Sequence, residues 1–250
     1  MRGMNGAVKR DWLVLVGVHG SGKTTLGKIL AGRLGWVFDR EVGEVLRRRT
    51  MTSDAEAHAM KPQPAFDQQV LWWELTRDRI RTETARVVET WHPGNLAYAW
   101  HRSREVFPAL KARVVESLPA CRSRVLVQPL VLGPEVAVAR CREPGPDRER
   151  FAPWLQSVGN RAIELAEELG LSVLPPVDTG EHSLEQAVRL ILERLIRFWG
   201  GRIPGERRAG GTGNLESTPD QGTDVERTGL LAPFPLAWNP EHLPPQQPGC

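Results

Sequence analysis

Short apolar runs alternate with helix-like patterns of apolar positions along residues 11–199. Residues 12–16 are all apolar, which is typical of a strand buried on both faces of a parallel sheet. A glycine-rich turn follows, and apolar positions spaced three and four apart then predict a helix over residues 23–34 that ends at Gly35. This order of elements predicts an α/β domain built from strand–helix–strand units around a parallel sheet.

The same pattern predicts the other elements of the domain. The further strands are expected over residues 36–38, 86–89, 125–127 with 130–132, and 171–174, which makes five in all. Pro129 is unusual inside a central strand, because proline has no N–H group for the hydrogen bonds of a sheet. The further helices are expected after Pro64, over residues 155–169 and over residues 184–199, the last with Ser183 and Gln186 as its capping box.

Residues 201–250 differ from the rest, because they contain eight glycines and eight prolines but few clustered apolar residues. Such a segment buries too little apolar surface to offset the entropy of ordering, so residues 200–250 are predicted to be a disordered tail. Its one apolar stretch, residues 230–238, is interpreted as part of that tail. The chain therefore divides into an N-terminal extension of residues 1–10, a domain of residues 11–199 and the tail.

Composition and charge exclude several classes of protein. The net charge of +3 on 250 residues is too small to argue for nucleic-acid binding. Three cysteines, Cys121, Cys141 and Cys250, have no spacing that suits a metal site or a disulfide framework. No apolar stretch approaches the ~20 residues of a membrane helix, and the first ten residues lack the apolar core of a signal peptide. We therefore expect a cytoplasmic protein that binds neither nucleic acid nor membranes; a homodimer is left open.

Residues 17–24 carry the chemistry that decides the class of ligand. Their spacing, G-x-x-x-x-G-K-T, lets backbone N–H groups turn inward and hold phosphate oxygens at the start of a helix. In this Walker A motif Lys23 reaches the β- and γ-phosphates, and the Thr24 hydroxyl binds Mg²⁺. The motif predicts binding of a nucleoside triphosphate with magnesium. The predicted phosphate-binding residues are Gly17, His19, Gly20, Ser21, Gly22, Lys23, Thr24 and Thr25.

Five segments in order resemble the thymidylate kinase branch of the P-loop nucleoside monophosphate and deoxynucleoside kinases. The first is the Walker A motif itself. Residues 39–43 (DREVG) are similar to the T-R-E-P-G of that family, and residues 71–77 (LWWELTR) to its L-L-F-A-A-D-R helix. Residues 89–91 (ETW) and 96–98 (LAY) are similar to its D-R-Y and L-A-Y, and residues 133–151 to its arginine-rich lid. The resemblance spans residues 11–197.

This resemblance implies the P-loop NTPase fold, with a five-stranded parallel sheet of order 2-3-1-4-5 and helices on both faces. It implies transfer of the γ-phosphoryl group of ATP, with Mg²⁺, to a nucleotide or nucleoside. Arg40 would then bind the acceptor phosphate, Trp73 would stack on the base, and Arg77 would contact the base edge. Trp72 and Trp73 are equally open to interpretation as core residues.

The resemblance also implies roles around the moving phosphoryl group. Glu89 would hold the magnesium shell or align the acceptor. A lid over residues 140–154 would close over the phosphates and exclude water, with a solvated loop as the alternative interpretation. The lid arginines are Arg140, Arg142, Arg148 and Arg150, of which Arg142 and Arg148 are assigned to catalysis.

Two positions depart from the family pattern. His19 stands where relatives carry an acid, and Thr90 stands where they carry the arginine that grips the acceptor phosphate. His92 and His101 lie nearby in the sequence but are expected to be surface histidines. The acceptor is therefore open among a nucleotide, a nucleoside and a small alcohol.

An ATP-binding or ATP-hydrolysing regulatory protein is the alternative function, because the changes at the acceptor site could mean that this site has been lost. A switch GTPase is disfavoured, since the sequence has no N-K-x-D segment. No run of four apolar residues ending in aspartate is found either, and this also favours a kinase over a hydrolytic regulator.

Overall fold

Within the part of the chain that the structure describes, six parallel strands form one sheet. The structure is a computed structural model and describes residues 11–50, 62–80, 85–118, 122–140 and 148–199. The strands are β1 (Trp12–Gly17), β2 (Val37–Asp39), β3 (Arg86–Glu89), β4 (Val125–Val131), β5 (Ser172–Val173) and β6 (Val177–Asp178). Their order is β2-β3-β1-β4-β5, and β6 also pairs with β4. The predicted order 2-3-1-4-5 is confirmed.

The sheet has one strand more than the five predicted, β6, because β4 is long enough to pair with two short strands in succession. Its first half pairs with β5 and its second half with β6. The carbonyls of Val127 and Val131 accept hydrogen bonds from Leu174 and Thr179 on this side of β4. Pro129 lies midway between those two residues and therefore faces the break between β5 and β6, where a missing N–H group interrupts neither pairing.

Eight α-helices surround the sheet in the described residues. They are α1 (Lys23–Leu34), α2 (Val42–Thr50), α3 (Pro64–Ile80), α4 (Trp91–Arg102), α5 (Phe107–Ser117), α6 (Pro134–Arg140), α7 (Arg148–Glu168) and α8 (Leu184–Phe198). Helix α1 has the predicted bounds and ends at Gly35 in the left-handed conformation. The predicted capping box of Ser183 and Gln186 at the start of α8 is confirmed.

Two apolar layers cover the two faces of the sheet, because successive residues of a strand point to opposite sides. Val14 and Val16 of β1 face a layer formed largely by α4, α5 and α7. Leu13 and Leu15 face the other layer, formed by α1 and α8. Strand β1 is thus buried on both faces, as the apolar run predicts, and its carboxyl end leads into the Walker A motif.

The predicted N-terminal extension and disordered tail lie outside the described residues, as do Cys121 and Cys141. Among the helices of the described ranges, none combines the length and apolar character that spanning a membrane requires.

Candidate active site

The loop between β1 and α1 has the geometry that a bound phosphate chain needs. Gly20 and Gly22 have φ angles of 82° and 83°, a left-handed conformation that glycine adopts without strain. The first turn of α1 contains no acidic side chain, so its positive dipole end faces the loop uncompensated. Lys23 is buried, and its Nζ donates to the carbonyls of Gly17 and Val18 at 3.1 Å each. The ammonium group therefore lies inside the loop.

Thr24 and Glu89 come from different elements and meet beside this loop. Glu89 ends β3 and pairs with Leu15 of β1, which brings the end of β3 next to the start of α1. Thr24 Oγ1 donates a hydrogen bond to Glu89 Oε1 at 2.8 Å. Glu89 Oε2 is buried and has no hydrogen-bond partner among the described residues. A buried acceptor without a donor is unfavourable, so this oxygen is suited to a ligand.

Burial also changes the protonation of Glu89. It raises the pKa of Glu89 to about 7, although the positive charge of Lys23 and the hydrogen bond from Thr24 favour the ionised form. The nearby carboxylate of Glu41 adds to the increase. A cation bound at this point would favour the ionised carboxylate.

We expect this pKa to make the stability of the metal-free protein fall as the pH rises. The folded protein binds the Glu89 proton more tightly than the unfolded chain does, in which Glu89 has its ordinary pKa of 4.5. The contribution of this proton to the free energy of unfolding is therefore full below pH 4.5 and is lost as the pH rises to about 7. A shift of this size corresponds to about 3 kcal/mol. Glu89→Gln should therefore reduce the decline in melting temperature between about pH 5 and pH 7.5 in EDTA, followed by circular dichroism.

Glu116→Gln is the matched control, because Glu116 is an exposed acid on α5 and should leave the wild-type pH dependence unchanged. An unchanged decline in Glu89→Gln would contradict the assignment of this titration to Glu89.

The segment after β2 carries Arg40 and Glu41, and each has a partner of opposite charge. Arg40 Nη2 lies 2.8 Å from Glu44 Oε1. Glu41 Oε2 accepts a hydrogen bond from Thr90 Oγ1 at 2.8 Å, and Arg47 Nη2 lies 3.7 Å from its other oxygen. The ends of β2 and β3 are thereby joined by a direct side-chain contact.

Helix α3 carries Trp73 and Arg77, the predicted base-binding residues. Arg77 is buried, with its guanidinium 2.5 Å from Glu74 Oε2 and donating to the Arg40 carbonyl at 2.9 Å. Trp73 is buried edge-on against Trp72, with ring centroids 5.1 Å apart. Its Nε1 donor has no hydrogen-bond partner among the described residues. The roles of Trp73 and Arg77 towards a base stay predictions.

No family model matches this chain, and no curated protein is similar to it. Among solved structures, the NadR protein in complex with NR superposes with a TM-score of 0.56 at 16% identity, over 80% of this chain and about half (53%) of that chain. Deoxyadenosine kinase from M. mycoides, with its products bound, superposes with a TM-score of 0.52 at 13% identity, over 75% of this chain and 99% of that chain. Thymidylate kinase from Candida albicans gives 0.49 at 13% identity, over 78% and 94% of the two chains.

The fold is that of the P-loop kinases. The resemblance found in the sequence is thus confirmed at the level of the fold. Within a P-loop kinase fold, ligands bind beyond the carboxyl ends of the strands. Glu41, Glu89 and Thr90 all follow or end strands at that edge, next to the Walker A motif.

The lid that the resemblance predicts over residues 140–154 lies only partly within the described residues. Arg140 ends α6, and its Nη2 donates to the Thr179 carbonyl at 3.1 Å. A β-carbon added to Gly20 would lie 3.2 Å from Arg140 Cβ. Arg140 therefore lies against the loop of residues 17–24, which we call the phosphate loop. Residues 148–154 belong to α7. The structure does not describe Arg142 or the side chains of Arg148 and Arg150.

The expectation of a surface residue is wrong for His92. His92 is 1% exposed, and its Nε2 lies 2.7 Å from Asp78 Oδ2. Helix α4 begins directly after β3 and directs its first residues into the core, which buries His92 against Trp91. His101 is half-buried, with its ring centroid 6.1 Å from that of Trp154.

His19 lies in the phosphate loop, where it is half-buried. Burial lowers the pKa of His19, and the positive charge of Lys23 lowers it further, so the imidazole is neutral at pH 7. The acid that the family pattern predicts at this position is thus replaced by an uncharged group.

Glu41 received no role from the sequence, and Thr90 was noted only as a departure from the family pattern. The sequence does contain a sign that both residues belong to the site, since each follows the carboxyl end of a predicted strand. Residues at the carboxyl ends of strands converge at the ligand-binding edge of an open α/β sheet. Their mutual contact depends on the pairing of β2 with β3, which the local pattern does not contain.

Proposed function

We propose that this protein is an ATP- and Mg²⁺-dependent phosphotransferase that transfers the γ-phosphoryl group to a nucleotide or nucleoside. The observation that carries the proposal is the meeting of Lys23, Thr24 and Glu89 at one loop, with 2.8 Å between Thr24 Oγ1 and Glu89 Oε1. Phosphoryl transfer depends mainly on positioning and charge neutralisation and needs little covalent chemistry from the protein. A buried cation, a hydroxyl and a carboxylate beside one glycine-rich loop suit that requirement.

The residues beside the loop fit a magnesium ion. Magnesium prefers oxygen ligands, and Thr24 Oγ1 and Glu89 Oε2 are two such oxygens at the same place. Glu89 also has a pKa of about 7 because of burial, and a divalent cation would favour its ionised form. When bound beside Thr24 and Glu89, magnesium would neutralise negative charge on the phosphates.

The chain's own groups would then hold and orient the donor. The N–H groups of the loop and the start of α1 bind phosphate oxygens, and Lys23 exchanges its two backbone carbonyl partners for the β- and γ-phosphates. From the resemblance, we assign Arg142 and Arg148 to the moving phosphoryl group and the lid to the exclusion of water.

On the acceptor side we assign binding to Arg40, Trp73 and Arg77. Trp73 supports this assignment through its buried Nε1, which has no protein partner among the described residues. Arg77 supports it indirectly, because its hydrogen bond to the Arg40 carbonyl fixes the segment that leads to Glu41. A few polar groups in a mostly apolar setting are typical of a pocket that orients a small molecule.

We expect the protein, incubated with γ-labelled ATP and Mg²⁺, to label at least one member of a panel of nucleosides and nucleoside monophosphates. Products are separated by thin-layer chromatography, and omission of Mg²⁺ serves as the control. Label found only as free phosphate would refute transfer and support an ATP-hydrolysing regulator. Label found only on a non-nucleotide alcohol would retain the transferase and refute the nucleotide or nucleoside acceptor.

A further inference from the structure

The turn between β3 and α4 is strained at two successive residues. Thr90 has φ and ψ angles of 69° and −63°, which are those of the rare, strained form of the γ-turn. Trp91 follows with a φ of 48°, although bulky side chains rarely adopt positive φ values. Such strain persists only where the surrounding structure imposes it. Glu89 directly precedes this turn, so the direction of its side chain depends on what holds the two strained residues.

The carboxylate of Asp78, on α3, binds the residues that follow the turn. Trp91 Nε1 donates a hydrogen bond to Asp78 Oδ1 at 3.2 Å and to Oδ2 at 3.1 Å. His92 Nε2 lies 2.7 Å from Asp78 Oδ2 and is the donor of that hydrogen bond, because a carboxylate has no proton to donate. One carboxylate therefore holds the first two side chains of α4.

These contacts are largely shielded from water, and a hydrogen bond in such surroundings is stronger than one on the surface. Trp91 and His92 are 0% and 1% exposed, and the Asp78 side chain is 19% exposed. On the strand side of the turn, the N–H group of Thr90 donates to the Leu15 carbonyl at 2.9 Å. The strained turn is thus held both by α3 and by β1.

A second aspartate of α3 also binds α4, but at the other end of that helix. Asp67 accepts hydrogen bonds from Arg102 Nε at 3.1 Å and from Ser103 Oγ at 2.7 Å. Ser103 is the residue at which α4 ends. The contact between α3 and α4 therefore has one aspartate at each end of α4, and of these two only Asp78 binds next to the turn that follows Glu89. A role in helix packing alone would make the two aspartates equivalent.

We propose that Asp78 is a positioning residue that fixes the direction of Glu89 through the turn of residues 90–91. The inference rests on the proposed phosphotransferase function and adds a residue that touches neither metal nor phosphate. Relaxation of this turn to negative φ would rotate the peptide group next to Glu89. Its carboxylate would then move away from Thr24 Oγ1, from which it now accepts a hydrogen bond at 2.8 Å. Displacement of one of its two oxygen ligands weakens a magnesium site.

Asp78→Asn keeps the size of the side chain but removes its charge and one acceptor. Trp91 Nε1 contacts both carboxylate oxygens, so the amide NH₂ group would face this donor whichever way the asparagine is turned. Asp67→Asn is the matched control, because it makes the same change on the same helix and also weakens the contact between α3 and α4.

The test measures ADP binding by calorimetry, once with Mg²⁺ and once with EDTA, and compares the ratio of the two dissociation constants. Binding in EDTA reports on the phosphate loop and Lys23, whereas the ratio reports on the metal and Glu89. We expect the gain in affinity from Mg²⁺ to fall by at least about fivefold in Asp78→Asn, with affinity in EDTA within about twofold of wild type. In Asp67→Asn both quantities should stay within about twofold of wild type.

A double variant separates action through Glu89 from an independent effect on the metal. If Asp78 acts through Glu89, then adding Asp78→Asn to Glu89→Gln causes no further loss of the magnesium gain, because no carboxylate remains to be positioned. Independent effects would multiply. Multiplied losses, a wild-type gain in folded Asp78→Asn or in Glu89→Gln, or an equal loss in Asp67→Asn would each overturn the inference.

Trp91→Phe is the milder variant for the case in which Asp78→Asn does not fold. It keeps an aromatic ring in the core and removes the N–H group that Asp78 binds, so the magnesium gain should fall by about two- to threefold. An unchanged gain would overturn the inference, as would a wild-type ADP affinity that does not respond to Mg²⁺. None of these measurements requires phosphoryl transfer, so absence of transfer with the expected ratios would refute the proposed function alone.

Discussion

Lys23→Ala is expected to lower ATP affinity by at least about a hundredfold and phosphoryl transfer by a similar or larger factor. The Lys23 ammonium is buried inside the loop and donates to the carbonyls of Gly17 and Val18. Alanine removes the one cation that the loop itself supplies to the phosphates. Charge-assisted hydrogen bonds contribute about 1.5–3 kcal/mol each, so the loss of two accounts for a factor of this size.

The measurement is isothermal titration calorimetry with ATP and Mg²⁺, together with the transfer assay. Lys28→Ala is the matched control, because Lys28 is an exposed lysine on the same helix, about one turn further along, and should keep wild-type affinity. Circular dichroism establishes that both variants are folded. ATP affinity in Lys23→Ala within about threefold of wild type would refute the assignment of this loop to phosphate binding.

The elements closest to the Walker A motif could be predicted from the sequence because their signals are local. A continuous apolar run marks β1, three- and four-residue spacing marks α1, and Gly35 ends that helix through its left-handed conformation. Strand β3 has the predicted bounds for the same reason, as a short apolar segment between polar ones. The meeting of Thr24 and Glu89 then follows from the order of the strands.

Elements that depend on distant partners could not be predicted in the same way. Strand β6 has two residues, and it exists because the second half of β4 leaves an edge to which it can pair. Helix α4 is buried along most of its length, so it lacks the polar face that would reveal its period. Its first residues bury His92, which local composition suggests is exposed.

At the candidate site, the sequence predicts binding roles for Arg40 and Arg77 but does not predict the carboxylates that pair with them, and it assigns no role to Glu41. Arg40 and Arg77 stand at the positions that the family pattern predicts, yet the charges of both are balanced by Glu44 and Glu74. Arg40 and Glu44 are four residues apart, and Arg77 and Glu74 are three residues apart in α3, so both ion pairs are possible from their spacing. Whether these ion pairs form depends on burial and packing, which the spacing does not give. The Thr90–Glu41 contact joins residues 49 apart and requires the finished sheet.

Gly17→Ala is expected to destabilise the protein by about 4 kcal/mol, because it combines steric overlap with backbone strain. Gly17 ends β1 opposite Leu130 of β4, with a φ of 150° that side chains rarely adopt. A β-carbon would lie 2.1 Å from the Leu130 carbonyl oxygen and 3.2 Å from Ser21 Oγ. The first contact is with backbone at the centre of the sheet, which cannot move without separating β1 from β4.

For a domain of this size, that loss corresponds to a decrease in melting temperature of about 10 °C, measurable by differential scanning calorimetry. Gly32→Ala is the matched control, because no atom lies within 4 Å of the added β-carbon and the residue is in the interior of α1. Alanine there should stabilise the protein by about 0.5–1 kcal/mol, since it is the better helix former. A Gly17→Ala protein that melts within about 2 °C of wild type would show that β1 and β4 can separate at the phosphate loop without loss of stability. Because Gly17 also begins that loop and its carbonyl accepts from Lys23, ATP binding should be lost together with stability in this variant.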